Sequence, residues 1–477
     1  MDANEFRRHG HELVDWIAEY LDGGVRGHAV RARVAPGEVR SQLPPEPPAR
    51  GEPFSRVMAD FERVLLPGVT HWQHPRFFAY FPANNSYPSV LGELLSAGLG
   101  VQGMLWETGP AATELEEVVM GWLRRMLGLP AEFQGVIQDT ASTAALAALL
   151  CARERATHGR FNTEGAAAPQ ADRLVVYVSP ETHSSIEKGA RIAGFGRERV
   201  RKVPVGAAYA LDPVALEATV AADLAAGLVP ACCVGTCGTT GSTALDPLRA
   251  IGETCRRHGM WFHVDAALAG AAAILSEKRH ILDGVELADS FVFNPHKWMF
   301  TNFDCSAFFV RDPDFLVKVL SINPEYLRTA HDGGVSNFRD WHVQLGRRFR
   351  ALKLWFVIRT FGVEGIRARL REHLAWAQEF RSWVEADPDW ELLAPVPLNL
   401  ICFRWAPLSA DPRALDALNE RLLRAVNDGG QLYLSHTRLG GDYALRLCVG
   451  QTTQTRDDVA AAWRILGETA RAIARPA

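Results

Sequence analysis

Lys297 stands in "NPHKW", directly after the apolar run "DSFVFN", where an ammonium group is costly to desolvate. A lysine in such a place has a chemical use: desolvation and neighbouring charge lower its pKa and make it a nucleophile able to form a Schiff base. A second apolar run, "FHVDAALAG", ends at Asp265. In doubly wound sheets ligands sit beyond the carboxyl ends of strands. Alone, Asp265 is equally a helix cap; with Lys297 it is either half of a buried ion pair or the partner that keeps a pyridinium nitrogen protonated and so sharpens an electron sink. Such a cofactor also carries a phosphate. "GVIQDTASTAALAALLCARE" is an apolar start, a small-residue turn and an alanine-rich helix, so Thr140, Ala141 and Ser142 either cap that helix or present hydroxyls and N–H groups to an anion. His183, in "VSPETHSSIEKGA", lies just past another strand-like run, where an imidazole either begins a helix or stacks on a flat ring. The combination, rather than any one residue, points to pyridoxal-type chemistry.

The elements that must position these residues follow from the pattern. From about residue 170, apolar runs ("RLVVYVS", "PACCVGT", "MWFHVDA", "DSFVFN", "CSAFFVR") alternate with helical stretches such as "LDPLRAIGETCRRHG". This predicts βα units around a mostly parallel sheet. Phe6, Leu13, Ile17 and Leu21 share one face of an opening amphipathic helix that needs a partner. The five prolines of residues 42–54 predict an extended connector. After about residue 365 a helix leads to a smaller α+β unit with strands near "NLICFRW" and "YALRLCVG". The division expected is 1–85, an N-terminal helical segment; 86–365, a large cofactor-binding domain; and 366–477, a small C-terminal α+β domain.

Composition excludes several classes. Lys+Arg at 51 against Asp+Glu at 55 gives a net charge near −4, without the basic stripe that nucleic acid requires. The amphipathic start has no leader-like apolar core, and no stretch is apolar for about 18 residues, so neither membrane nor secretion is expected and the chain reads as cytoplasmic. The eight cysteines form neither C-x-x-C pairs nor a secreted disulfide spacing. "GLGVQG" (98–103) matches a dinucleotide fingerprint but follows a helical stretch instead of a strand, and so reads as a turn. "HWQH" holds a close histidine pair, and no metal site is expected.

"NPHKWMFTNFDCSA", "HVDAALAG", "VIQDTAS", "ETHSS" and "HWQHPRFFAYFPANNSYPS" resemble the pyridoxal-phosphate-dependent group II amino-acid decarboxylases, most closely the aromatic-L-amino-acid decarboxylases. The similarity covers nearly the whole chain. It implies the α/β fold type I of aspartate aminotransferase-like enzymes, with a mostly parallel seven-stranded sheet in the large domain. It implies Lys297 as the Schiff-base lysine, Asp265 as partner of the pyridinium nitrogen and His183 as the stacking imidazole. Ala141, Ser142, Asn294 and His296 match the phosphate surroundings, and Thr240 and Ala267 the lining of the ring. Trp72, Tyr80, Phe81 and Pro82 match one wall of the substrate pocket. An obligate homodimer with the active site at its interface, crossed by the N-terminal segment, is implied as well.

Departures from the family pattern bear on the product. The family's mobile loop carries a tyrosine that protonates the carbanion carbon; the aligned residue here is Phe338, which has no acidic proton. Plant aromatic aldehyde synthases share that change, which implies reaction with O₂ to give aldehyde, ammonia and peroxide. The alternatives are that His183 or a water supplies the proton and an amine results, or that the loop is shifted by one residue. Leu268, Met104 and Asn399 also depart from common family residues, so aromatic substrates are expected without choosing among them. A pyridoxal-phosphate-binding protein without turnover and an aminotransferase are the remaining readings.

Overall fold

The computed structural model describes residues 1–331 and 333–474. Contacts divide it into two units, one of Met1–Ala83, Trp376–Leu393 and Ile401–Ala477, the other of Asn84–Ala375 and Ala394–Leu400.

The second unit is built on seven strands: β1 (Gln134–Gln138), β2 (Leu174–Val178), β3 (Val200–Lys202), β4 (Val229–Thr236), β5 (Trp261–Asp265), β6 (Ser290–Phe293) and β7 (Ser306–Val310). Their order is β1-β7-β6-β5-β4-β2-β3. Pairing is parallel throughout except at β7, which runs antiparallel to both β1 and β6. Every residue of β2, β5, β6 and β7 is buried. That is why these strands read as continuous apolar runs instead of an alternation: a sheet covered on both faces has no polar side. The alanine-rich helix Ala141–Ala156 packs on this sheet, with Ala144, Ala145, Ala147, Ala148, Cys151 and Ala152 in one core with Val176, Val234 and Phe308.

An antiparallel strand begins where its parallel neighbours end. Ser306, the first residue of β7, therefore pairs with Gln138, the last of β1, while Ala307 pairs with Phe293, the last of β6. One short strand thus gathers the carboxyl ends of two others.

The first unit carries the four-stranded antiparallel sheet formed by β8 (Trp390–Leu392), β9 (Leu400–Trp405), β10 (Ser435–Leu439) and β11 (Asp442–Cys448), in the order β10-β11-β9-β8. It also holds the opening helix Ala3–Leu21, started by a capping box in which the Asp2 carboxylate accepts the Glu5 N–H. Of that helix only Leu21 is buried, and Phe6 is 66% exposed, so the apolar face foreseen in the sequence is largely open in this chain. Residues 42–53 form no helix or strand, as their prolines require. "GLGVQG" closes the helix Tyr87–Leu99, with Gly100 at φ 61° as its left-handed cap, so it is a helix end and not a strand-to-helix turn. All eight cysteines are buried free thiols. Among the described residues no helix is long and apolar enough to cross a membrane.

Candidate active site

Asp265 ends β5, between Thr236 of β4 and Val292 of β6. It is 6% exposed. Its Oδ1 accepts the Ala267 N–H at 3.0 Å, and no basic side chain lies within ion-pair distance of it among the described residues. A buried carboxylate with one backbone donor and no counter-cation is costly unless a cation is supplied from elsewhere. A protonated ring nitrogen is such a cation.

Lys297 lies one strand over, in the single turn Pro295–Trp298 that follows β6. Asn294 caps this turn: its N–H donates to the Ala267 carbonyl at 2.9 Å, and the Lys297 N–H returns to the Asn294 carbonyl at 2.9 Å. Gly270 makes room for the turn, since a Cβ there would lie 2.4 Å from Phe293 Cβ.

His183 caps the helix Ser184–Ile192, its Nδ1 accepting the Ser185 N–H at 3.2 Å with the Ser185 hydroxyl 2.7 Å from the same atom. The ring is exposed in this chain, yet the protein around it lowers its pKa, and Lys297 lowers it further while Asp265 opposes. The imidazole is thus in electrostatic reach of both strand-end residues, and the structure brings the three together.

The groups that could donate to a phosphate are set by hydrogen bonding. The Ser306 hydroxyl donates to Asn294 Oδ1 at 2.8 Å and lies 3.4 Å from the Asp139 carbonyl, so Asn294 has only its amide N–H groups to offer an anion. His296 Nδ1 accepts the Cys305 N–H at 2.9 Å, which leaves the proton on Nε2. Burial first, then Lys297, pushes the His296 pKa down to about 3, so the ring is neutral. Thr140 is the N-cap of the helix Ala141–Ala156, in a capping box with Thr143, and Ser142 is exposed in its first turn. Three features were missed in the sequence. Asp139 Oδ1 accepts the Thr140 N–H at 2.6 Å and the Thr143 hydroxyl, placing a carboxylate in the same turn. Ser306 and Ser185 act through contacts as well; both lie inside stretches that resemble the family, but nothing in the sequence singles either of them out. A cavity of about 780 Å³ is lined by Asp139, Glu93, Gln102, Arg347, Arg348 and Arg350, among others.

Thr240 and Ala267 are half-buried at the ends of β4 and β5, and Asn399 is fully buried. Phe338 is 1% exposed in a short turn, Phe338–Trp341, with its ring 5.6 Å from Trp341 and the Arg347 guanidinium 4.7 Å above it. Arg347 donates to Glu116 at 2.6 Å and to His342 Nε2 at 2.8 Å, and the Arg339 N–H donates to the Met104 carbonyl at 3.0 Å, which ties Met104 to this segment. Trp72, Tyr80, Phe81 and Pro82 belong to the first unit, where Trp72 stacks on Tyr80 at 5.8 Å and Tyr80 meets the ring of Tyr433 edge-on.

An unpaired buried carboxylate, a lysine on the next strand end and neutral donors suited to a phosphate fit pyridoxal phosphate; on this sheet they define a pyridoxal-phosphate enzyme of fold type I. Residues 36–406 match the family model described as the pyridoxal-dependent decarboxylase conserved domain. The chain is 43% identical to phenylacetaldehyde synthase of Arabidopsis thaliana, over 98% of this chain and 96% of that protein. It is 42% identical to tryptophan decarboxylase 2 of Oryza sativa subsp. japonica, over 98% and 95%. Its structure resembles the crystal structure of Oryza sativa TDC with PLP and tryptamine at a TM-score of 0.96 and 38% identity, covering 100% of this chain and 99% of that one. The chain belongs to the pyridoxal-dependent decarboxylase family.

Proposed function

We propose that this enzyme removes the α-carboxylate of an aromatic L-amino acid as CO₂, with Lys297 holding the cofactor and Asp265 pairing with its protonated ring nitrogen. The observation that carries the reading is Asp265, a buried carboxylate without an ion-pair partner among the described residues, beside Lys297 and His183. Bound pyridoxal phosphate supplies the electron sink for the pair released when the carboxylate leaves. Asn294, His296, Thr140, Ala141 and Ser142 hold the phosphate, Thr240 and Ala267 line the ring, and His183 covers it. The aromatic class rests on the names of the relatives, one a phenylacetaldehyde synthase and one a tryptophan decarboxylase. The Trp72–Tyr80 stack suits a flat side chain, and Phe81, Pro82, Met104 and Asn399 are the other substrate-contact candidates that the family resemblance offers. The free, buried thiols agree with a cytoplasmic location.

A second reading concerns the product, and Phe338 favours it. With no hydroxyl at that position the reacting carbon lacks its loop proton donor, and O₂ takes the electrons instead. One amino acid, one O₂ and one water then give aldehyde, CO₂, ammonia and hydrogen peroxide. The test is a balance of CO₂, amine, aldehyde and peroxide from L-phenylalanine, L-tyrosine and L-tryptophan in air. Aldehyde and peroxide in step with CO₂ are expected. Phe338→Tyr is expected to raise the amine-to-aldehyde ratio by about a hundredfold, the size of a general-acid contribution. An unchanged ratio would rule out control by Phe338, and no CO₂ from any of the three would overturn the aromatic assignment.

A further inference from the structure

We infer that Ser185 is a positioning residue that holds His183 as the neutral tautomer protonated on Nε2, so that the imidazole enters the site as a hydrogen-bond donor. A backbone amide can only donate. The Ser185 N–H at 3.2 Å therefore requires a lone pair on His183 Nδ1, and the Ser185 hydroxyl, 2.7 Å away, donates to that same lone pair. With Nδ1 committed, the proton of the neutral ring is on Nε2. Ser185 is 8% exposed and sits in the first turn of the helix that His183 caps, so both of its donors are fixed with respect to the ring.

The same two donors oppose a second proton. An imidazolium would carry a hydrogen on Nδ1, aimed at the Ser185 N–H, and both hydrogen bonds would be lost. Among the described residues, the charged groups in reach of the ring are Lys297, which also disfavours the cation, and Asp265, which favours it. Two donors and one ammonium act against one carboxylate. His296 offers a contrast, since its Nδ1 is held by a backbone N–H alone, that of Cys305.

The consequence deepens the proposed function and rests on His183 covering the cofactor there. The Nε2–H of a neutral imidazole is a very weak acid. It can bind an oxygen of the reacting group but gives up no proton to carbon near neutral pH. With Phe338 also lacking a proton, neither residue supplies the hydrogen that an amine product needs, which strengthens the aldehyde reading.

The experiment is nitrogen NMR of apoenzyme and holoenzyme carrying ¹⁵N in the histidine rings, with the His183 signals assigned by their loss in His183→Gln. In the wild type near neutral pH a pyridine-like Nδ1 and a pyrrole-like Nε2 are expected. Ser185→Ala keeps the backbone donor and removes the hydroxyl. Its Nδ1 signal is expected to move toward the pyrrole-like form, the acid limb of its kcat–pH profile to shift to higher pH, and kcat to fall about fivefold, the weight of one hydrogen bond. Ser185→Thr is expected to restore all three. A wild-type ring that is protonated on Nδ1 near neutral pH overturns the inference, as does a Ser185→Ala enzyme whose nitrogen signals and acid limb stay in place. If Ser185→Ala does not fold, the wild-type signals decide alone. These signals are recorded without substrate, so they stay the same whichever substrate the enzyme takes and whichever product it releases.

Discussion

Asp139 puts a negative charge beside the residues proposed to hold a phosphate. Its carboxylate takes up the Thr140 N–H and the Thr143 hydroxyl, and Arg350 is a cation in electrostatic reach of it. Two like charges about 4 Å apart repel by about 1 kcal/mol even in bulk water. Asp139→Asn keeps an oxygen for the same donors and removes the charge, so the apoenzyme is expected to bind pyridoxal phosphate roughly fivefold more tightly. Absorbance titration of apoenzyme measures this directly; weaker binding by the variant would mean that Asp139 acts by fixing the turn. The residues that were legible at this scale, Lys297, Asp265 and His183, carry side chains whose chemistry is conspicuous at a strand end. Asp139, Ser185 and Ser306 were not, because a small polar residue becomes informative only once its partner in space is known.

At the scale of elements, the strand ends were legible and the contacts that hold them were not. Apolar runs bounded by turns placed Asp265 and Lys297 at the carboxyl ends of β5 and β6, where they lie. The reversed direction of β7 has no sequence signature, since a buried strand reads the same whichever way it runs. Close approach is similarly hidden. The segment Ala269–Ile274 packs so near β6 that a methyl group on Gly270 would overlap Phe293. Gly270→Ala is expected to destabilise the enzyme by about 1–3 kcal/mol and, by displacing the end of β6 and with it Asn294 and Lys297, to weaken cofactor binding. Urea unfolding with and without pyridoxal phosphate separates these effects, and a variant of wild-type stability would show that β6 yields without cost. The segment around Phe338 was legible as a loop with a missing hydroxyl. Its anchoring was not: Arg339 donates to the Leu327 carbonyl at 2.6 Å and to Asn323 at 2.8 Å, while Arg347 joins Glu116, His342 and Gly103. Each of these bonds joins residues that only folding makes neighbours.

At the scale of the whole molecule, the open apolar faces call for a partner. On the helix Tyr87–Leu99, Tyr87, Leu91, Leu94, Leu95 and Leu99 are between 46% and 62% exposed. A continuous apolar face of this kind favours an interaction surface, and a second copy of the chain is the occupant we propose, in keeping with the homodimer implied by the family resemblance. Sedimentation of the wild type is expected to give a dimer, and Leu91→Glu with Leu95→Glu to give monomers with greatly reduced CO₂ release; a wild-type monomer would refute this. The sequence by itself determined the family, the α/β sheet, the lysine and carboxylate at the ends of separate strands and the missing loop hydroxyl. The family and the missing hydroxyl follow from the resemblance of whole motifs, and the sheet and strand-end residues from apolar runs, turn residues and side-chain chemistry, all of which are local. Only the tertiary structure decided that β7 runs backwards between β1 and β6, that Ser306 thereby joins Asn294 to the turn at Asp139, and that Asp265 is buried without an ion-pair partner among the described residues. The physical reason is that strand direction, burial and hydrogen-bond partners are relations between distant residues, and they take their values only when the chain packs.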